Sequence, residues 1–423
     1  MNKLEKQVVM GIEDNKKNYQ NLPRTDWAER HVEDLLSLPL VKEFVFRSPM
    51  AIIGSTDKEV VDFYITDGDR EIIISQKCQL DPNARDAKKE AIWAKKEAKK
   101  AAKQISGALR NGTKKPIWAN HLRRDRVDFP LGFQNILHGI VLVEVKHPAN
   151  LQIENDQLPF QYEGIPINYF SVNDFLNLAV SLRTIPELIE YLNARRSLPN
   201  SDLVQIGDER VIYEAYLLTN GTLEGVTSRQ SAKQLVERSE KQLGQMIKEL
   251  KGSAKYCALM EKVADELATR DENIPAAINS LYEPAKERKG YLKMQSLIAS
   301  MRLGDRIAYG RFFYDLIKNI EEKQEGFTFA AARSDALPEQ VIVFGASRKI
   351  ARETIVQSLS GISLGALAYY KKRLALMVVD LDGKHFELSY VKLDRDPTAA
   401  EIHAGNQYFG NLKVTSSPIS IIG

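Results

Sequence analysis

Hydrophobic and polar positions follow two rhythms along the first 180 residues. Over 26–38, Ala28, Val32, Leu35 and Leu36 recur at helical spacing, with Asp26 placed as an N-cap and Glu29 at the third helical position. Three extended runs follow, at 43–46, 60–66 and 71–77, the last two joined through Asp67-Gly68-Asp69, a short turn typical of hairpins. The spacing then predicts a long helix over 86–109 and apolar strand runs at 139–145 and 165–170. A further helix opens at Ser171, with Asp174 three residues on. The order is helix, three-strand meander, helix, strand, strand, helix. A long helix between apolar runs meets the requirement of a crossover connection, so the run at 139–145 is expected in the same sheet. These elements define an α/β domain over 21–196, with a mixed central sheet and flanking helices.

Farther along, Val236, Leu243, Ile247, Leu250, Ala254, Cys257, Met260 and Leu267 give an amphipathic helical pattern, and 274–322 continues mostly helical. Residues 197–330 are therefore read as a helical region. A polar stretch around 326–338 leads into the apolar run 341–344, helices over 348–359 and 364–373, and a hairpin pairing 374–380 with 387–393. Residues 338–423 thus form a small C-terminal α/β unit.

Length and composition narrow the classes. The chain has 423 residues, 43% hydrophobic and 27% charged, which excludes disordered and collagen-like sequences. Its net charge of +3 decides nothing by itself. The two cysteines, Cys78 and Cys257, cannot build a disulfide framework or a paired-cysteine zinc site, and a cytoplasmic location is expected. No apolar stretch resembles a secretory leader or a membrane span, so no membrane partner is expected. The six histidines lack metal-ligand spacing and are expected to be structural. Gly345-Ala346-Ser347-Arg348-Lys349 follows a strand but lacks the glycines of a nucleophile elbow and the Gly-Lys-Ser/Thr of a P-loop.

The chemistry-bearing stretch lies in the meander. Within the hairpin, Asp62 can approach Lys77, because alternation sends Glu71, Ile73, Ser75 and Lys77 to one face. Glu59 lies three residues before Asp62 and can add a second carboxylate. Such a set suits metal-assisted phosphodiester hydrolysis: carboxylates hold a hard divalent ion, the ion lowers the pKa of bound water, and the lysine orients the nucleophile.

With these residues the sequence resembles the PD-(D/E)XK, or restriction-endonuclease-like, nuclease superfamily, over about its first 170 residues. The resemblance implies a core of helix, three-strand meander, crossover helix and further strand. It implies Mg²⁺ or Mn²⁺ as cofactor, Asp62 and Glu59 as metal carboxylates, Lys77 as the motif lysine, and Glu29 as an assisting acid on the first helix, with Glu33 as the alternate. Mrr-type and nuclease-related variants replace the motif's second acid by glutamine. Here Ser75 stands two residues before Lys77, Gln76 one before it and Gln79 two after; the backbone carbonyl of Gln76 is a further expected ligand. A rival match, Glu144-Val145-Lys146 with Asp128 upstream, fits the acid-x-lysine letters but follows the long helix, where the family has a structural strand.

Between Asp81 and Arg126 fourteen basic side chains face five acidic ones. On the long helix, Ala87, Ala91, Ala94, Ala98, Ala101, Ile105 and Ala108 form the buried side, while Lys88, Lys95, Lys99 and Lys103 crowd the other. Tracking of phosphates by that face, with Lys95, Lys99, Lys103 and Gln104 as contacts, is the expectation. The function read from the sequence is a metal-dependent nuclease, acting on DNA, with a role in bacterial restriction or antiphage defence implied by the resemblance alone. The remaining regions would add nucleic-acid contacts, a protein partner or self-association. The competing class is a non-catalytic, nuclease-like binding module, which Ser75 favours.

Overall fold

The structure, a computed structural model, describes residues 24–37, 44–53, 55–67, 69–81, 85–112, 115–121, 124–146, 158–271, 289–324, 326–332, 339–383 and 385–410. The chain divides into two compact units; the main run of the first ends at Lys255 and that of the second begins at Tyr256.

The first unit opens with α1 (Arg24–Ser37), then β1 (Val45–Ile53), β2 (Thr56–Glu59), β3 (Phe63–Thr66) and β4 (Glu71–Lys77). The long helix α2 (Ala87–Gly112) leads to a hairpin of β5 (Ile117–His121) and β6 (Arg124–Phe129), then β7 (Ile136–Val143), β8 (Gln161–Tyr162) and β9 (Ile165–Ser171). Helices α3 (Val172–Leu182), α4 (Ile185–Arg195), α5 (Asn200–Leu203), α6 (Glu209–Leu218) and α7 (Arg229–Arg238) follow. Nine strands form one mixed sheet in the order β6-β5-β1-β3-β4-β7-β9-β8, with β2 paired to β1. The meander β1-β3-β4 is antiparallel and β4-β7-β9 is parallel. The expected crossover through α2 is present, with the β5-β6 hairpin inserted before the chain enters β7. Compact packing of the first unit continues past residue 196, through α5, α6 and α7.

Both faces of the sheet are covered, and residue parity decides which side chain meets which layer. Tyr64, Ile73, Val141, Val143 and Tyr169 share a buried cluster with Ala94, Ala98, Ala101, Ile105 and Ala108 of α2. The alanines let the helix lie close to the strands, and Ile105 seats over Gly139, where an added Cβ would come within 2.9 Å of Ile105 Cγ2. Alternate residues Ile72, Ile74, Ile140 and Leu142 are also fully buried and point to the opposite face. There Phe170 meets Phe175 of α3, with ring centroids 5.6 Å apart. Helix α1 packs against β1 and α3. Asp26 lies inside α1 rather than ahead of it, so the expected cap position is not the helix start. Ser171 does cap α3, accepting from the Asp174 amide at 3.0 Å.

The long helix α8 (Glu240–Asp271) precedes α9 (Lys289–Ser300) and α10 (Leu303–Lys323). In the second unit, β10 (Gly326–Ala332), β11 (Gln340–Arg348), β12 (Leu374–Asp380) and β13 (Phe386–Lys392) form a sheet in chain order, with β11 and β12 parallel. Helices α11 (Arg352–Tyr370) and α12 (Ala399–Phe409) complete it. Two expectations change. The helices read over 348–359 and 364–373 are one continuous α11, in which Gly365 serves the packing against α12: a Cβ at Gly405 would meet the Gly365 carbonyl oxygen at 2.6 Å. The polar stretch from 326 is a strand, since all seven residues of β10 pair with β11.

Candidate active site

Hairpin register brings the meander residues together. Phe63 opposes Ile74, and the Asp62 amide donates to the Ile74 carbonyl at 3.1 Å, so Asp62 stands beside Ser75 at the end of the ladder. Parity puts Asp62, Ser75 and Lys77 on the face covered by α2 and sends Gln76 to the other.

Asp62 is buried, and its Oδ2 accepts from the Gln76 amide at 2.5 Å while Lys77 Nζ lies 3.7 Å away. Lys77 Nζ also donates to Gln104 Oε1 at 2.9 Å, and Ser75 Oγ donates to the same oxygen at 2.9 Å. Because an ammonium only donates, the Gln104 oxygen must face the lysine. Its amide nitrogen is left to donate elsewhere. Gln104 is thus both brought to the site and occupied there, as a holder of Lys77. An ordinary exposed ion pair does not describe Asp62 and Lys77, whose side chains are 8% and 22% exposed.

Glu59, at the end of β2, keeps solvent exposure on one side but is crowded on the other. Burial by surrounding protein, the charge of Asp62 and a hydrogen bond with it, and the charge of Glu29 together push its carboxyl up to about 8, against a lowering contribution from Ser48. Ser48 sits at a bulge of β1, where the pairing with β5 shifts register between Arg47 and Met50, and it holds a φ of 48°. The bulge re-aims two side chains at once. Ser48 turns to Glu59, and Arg47 turns to α1, its Nε 3.3 Å from Glu33 and its Nη1 3.8 Å from Glu29. Glu33 is therefore buried against Arg47. Neither Arg47 nor Ser48 was legible in the sequence, since a bulge leaves no periodic mark.

The rival acid-x-lysine match does not assemble. Asp128 lies on β6, paired with Arg126 at 2.7 Å, while Glu144 follows β7. Five strand spacings separate β6 from β7, roughly 24 Å at about 4.8 Å each. Glu144 instead accepts from the Gln79 amide at 3.1 Å, and the Lys146 amide donates to the buried Glu90 at 2.8 Å.

Helical rotation of about 100° per residue sorts the lysines of α2. Lys100 and Lys96 fall about 40° and 80° from Gln104 around the helix, and Lys103 about 100°. Lys99 is farther round, and Lys95 lies on the opposite border of the buried stripe. Lys99 and Lys103 are exposed and Lys95 is half-buried. Lys96 and Lys100, with Lys100 also 2.6 Å from Glu97, therefore flank Gln104 more closely than Lys95 or Lys99. The buried histidines keep to structure: burial and the Arg196 charge hold His138 down to about 4, and His121 packs on Phe46. His147 lies outside the described residues.

Among the described residues no group of three or more His, Cys, Asp or Glu side chains is arranged to hold a metal ion. Asp62 and Glu59 nonetheless form a carboxyl pair with Glu29 beside it, a hard-oxygen set of the kind that suits Mg²⁺ or Mn²⁺. No helix among the described residues is long and apolar enough to cross a membrane. Comparison with family models, curated proteins and solved structures gives no match to this chain.

Proposed function

We propose that the protein is a metal-dependent nuclease that hydrolyses phosphodiester bonds in DNA, with its centre at Asp62, Glu59 and Lys77. The observation that carries this reading is the convergence of Asp62 and Lys77 at 3.7 Å, with Gln104 of the long basic helix bound to the lysine at 2.9 Å. The order α1, β1-β3-β4, α2, β7 supports it as well, being the order implied by the resemblance to PD-(D/E)XK nucleases.

In this reading Asp62 and Glu59 would hold the cation, with the Gln76 carbonyl as a further oxygen and Glu29 adding charge from α1. A bound Mg²⁺ or Mn²⁺ supplies Lewis acidity and makes a coordinated water acidic enough to act near neutral pH. Lys77 orients the attacking water and offsets charge developing on the phosphate. Gln104 fixes the lysine, and its free amide N–H donates to a phosphate oxygen. Lys96, Lys100 and Lys103 draw the strand along the helix. Antiphage defence is a setting in which such an enzyme would serve.

A second reading, a nuclease-like module that binds without cutting, is favoured by Ser75: the position of the motif's second acid carries a hydroxyl already bonded to Gln104. The test measures cleavage and DNA binding together for the full chain with Mn²⁺, alongside Asp62→Ala and Lys77→Ala. Loss of cutting with retained affinity supports the enzyme; binding without cutting in every variant, wild type included, supports the module.

A further inference from the structure

The opposite face of β4 carries a cavity of about 260 Å³ lined by Ala28 and His31 of α1, Gln76, Glu144, Val145 and Lys146, and Val172 and Asn173 of α3. It lies at the carboxyl ends of the parallel strands β4, β7 and β9, where open α/β sheets leave a crevice. At its edge is the first turn of the eleven-residue helix α3, whose leading N–H groups have no partner within the helix.

Gln76 supplies an independent observation. Its residue is 7% exposed, and the buried Oε1 has no hydrogen-bond partner. A buried amide oxygen left without a donor is costly in a folded protein, about 1–3 kcal/mol, unless something else binds it. A half-turn of the amide exchanges donor and acceptor, so it can meet a ligand edge that carries both. Ala28, Val145 and Val172 provide apolar walls, while Lys146 and the α3 N-terminus provide positive potential against the opposing carboxylates of Glu144, bonded to the Gln79 amide at 3.1 Å, and of Asp174 in the first turn.

We propose that this cavity takes one nucleotide of an unpaired strand, its base edge on the Gln76 amide and its phosphate toward the first turn of α3. A planar ring with adjacent donor and acceptor, an adenine above all, matches a glutamine amide. Gln76 also donates its backbone N–H to Asp62 at 2.5 Å, so a base seated on its side chain braces the residue that positions the candidate metal carboxylate. A role in substrate choice rests on the nuclease reading; nucleotide binding itself does not.

The experiment titrates the full chain with adenosine 5′-monophosphate, ribose 5-phosphate and inorganic phosphate by calorimetry. Saturable binding of the nucleotide is expected, weakened about tenfold or more by Gln76→Leu. Asn173→Trp, an exposed position at the cavity mouth that leaves the core untouched, should block it too. Lys77→Ala, whose side chain lies on the other face of the sheet, should leave nucleotide binding unchanged. No nucleotide binding, equal affinity for phosphate alone, or affinity indifferent to both Gln76→Leu and Asn173→Trp would overturn the proposal. Gln76-dependent binding by a protein that never cuts DNA would uphold the cavity and sink the nuclease reading; cutting without such binding would do the reverse.

Discussion

Glu209 and Glu59 belong to the same compact unit, yet their surroundings drive them in opposite directions. Burial alone would raise the carboxyl of Glu209, but the charges of Arg195 and Arg229 outweigh it and hold the group down at about 2. Arg195 Nε lies 2.7 Å from Glu209 Oε1 and Arg229 Nη2 2.9 Å from Oε2, and Tyr191 donates its hydroxyl at 2.5 Å. Both arginines also bind backbone carbonyls: Arg195 those of Asp202 and Leu203, Arg229 those of Asp202, Gln205, Gly207 and Asp208. That network ties α4, α6 and α7 together. Around Glu59 the balance is the reverse: burial, Asp62 and Glu29 leave excess negative charge and the carboxyl rises to about 8. A completed set of charges serves the fold, and an incomplete one is where a cation or a phosphate-bearing substrate has something to gain.

The largest effect should come from breaking the completed set. Glu209→Gln is expected to cost about 3–5 kcal/mol in urea denaturation, because it strands two buried arginines. Glu59→Gln, which replaces a carboxyl whose ionisation the fold opposes by a neutral amide, should cost nothing and should stabilise the protein at neutral pH. Equal losses would erase the contrast.

On activity the ranking inverts. Lys77→Met should lower Mn²⁺-dependent cleavage by on the order of 10²-fold or more, with an unchanged circular-dichroism spectrum, whereas Gln104→Leu, which frees the lysine and removes one N–H donor to the phosphate, should lower it about tenfold. A Gln104→Leu loss as large as that of Lys77→Met would give the glutamine equal weight with the lysine.

The pH dependence separates the two carboxyls by sign. Glu209, depressed in the folded state, contributes stability above its ordinary 4.5 that is lost as pH falls toward about 2. Glu59, raised in the folded state, contributes stability below 4.5 that is lost as pH climbs through about 8. Comparing wild type with Glu59→Gln over pH 4.5–8.5 should show a steeper downward slope in wild type, the difference between the two curves being the contribution of Glu59. Mn²⁺ affinity should rise over the same interval, since the metal competes with the proton; a flat profile would remove Glu59 from the ligand set.

The smallest effect concerns the helix. Lys96→Ala and Lys100→Ala should each flatten the slope of log affinity against log salt by about 0.9, and Lys95→Ala should not change it. If Lys95 matters most, the strand follows the other border of α2.

Periodicity was enough to place β4, α2, β7, β9 and the Ser171 cap, because each carries a regular apolar rhythm or a local capping signal. The pairing of Asp62 with Lys77 was legible for the same reason: two short strands and a tight turn leave little freedom in register. The β5-β6 hairpin, β2 and β10 were not, since short edge strands gain their order from a neighbour rather than from their own pattern. The bulge at Ser48, the turn of Arg47 onto Glu33, and Gln104 as the partner of Lys77 were hidden likewise, each joining residues distant in sequence. Sequence alone determined which residues alternate, and hence which side chains share a face. Tertiary packing alone decided which faces meet, how far the carboxyl charges are compensated, and that the Gln76 amide meets a cavity on its side of the sheet, because burial and charge act between segments that only the folded chain brings together.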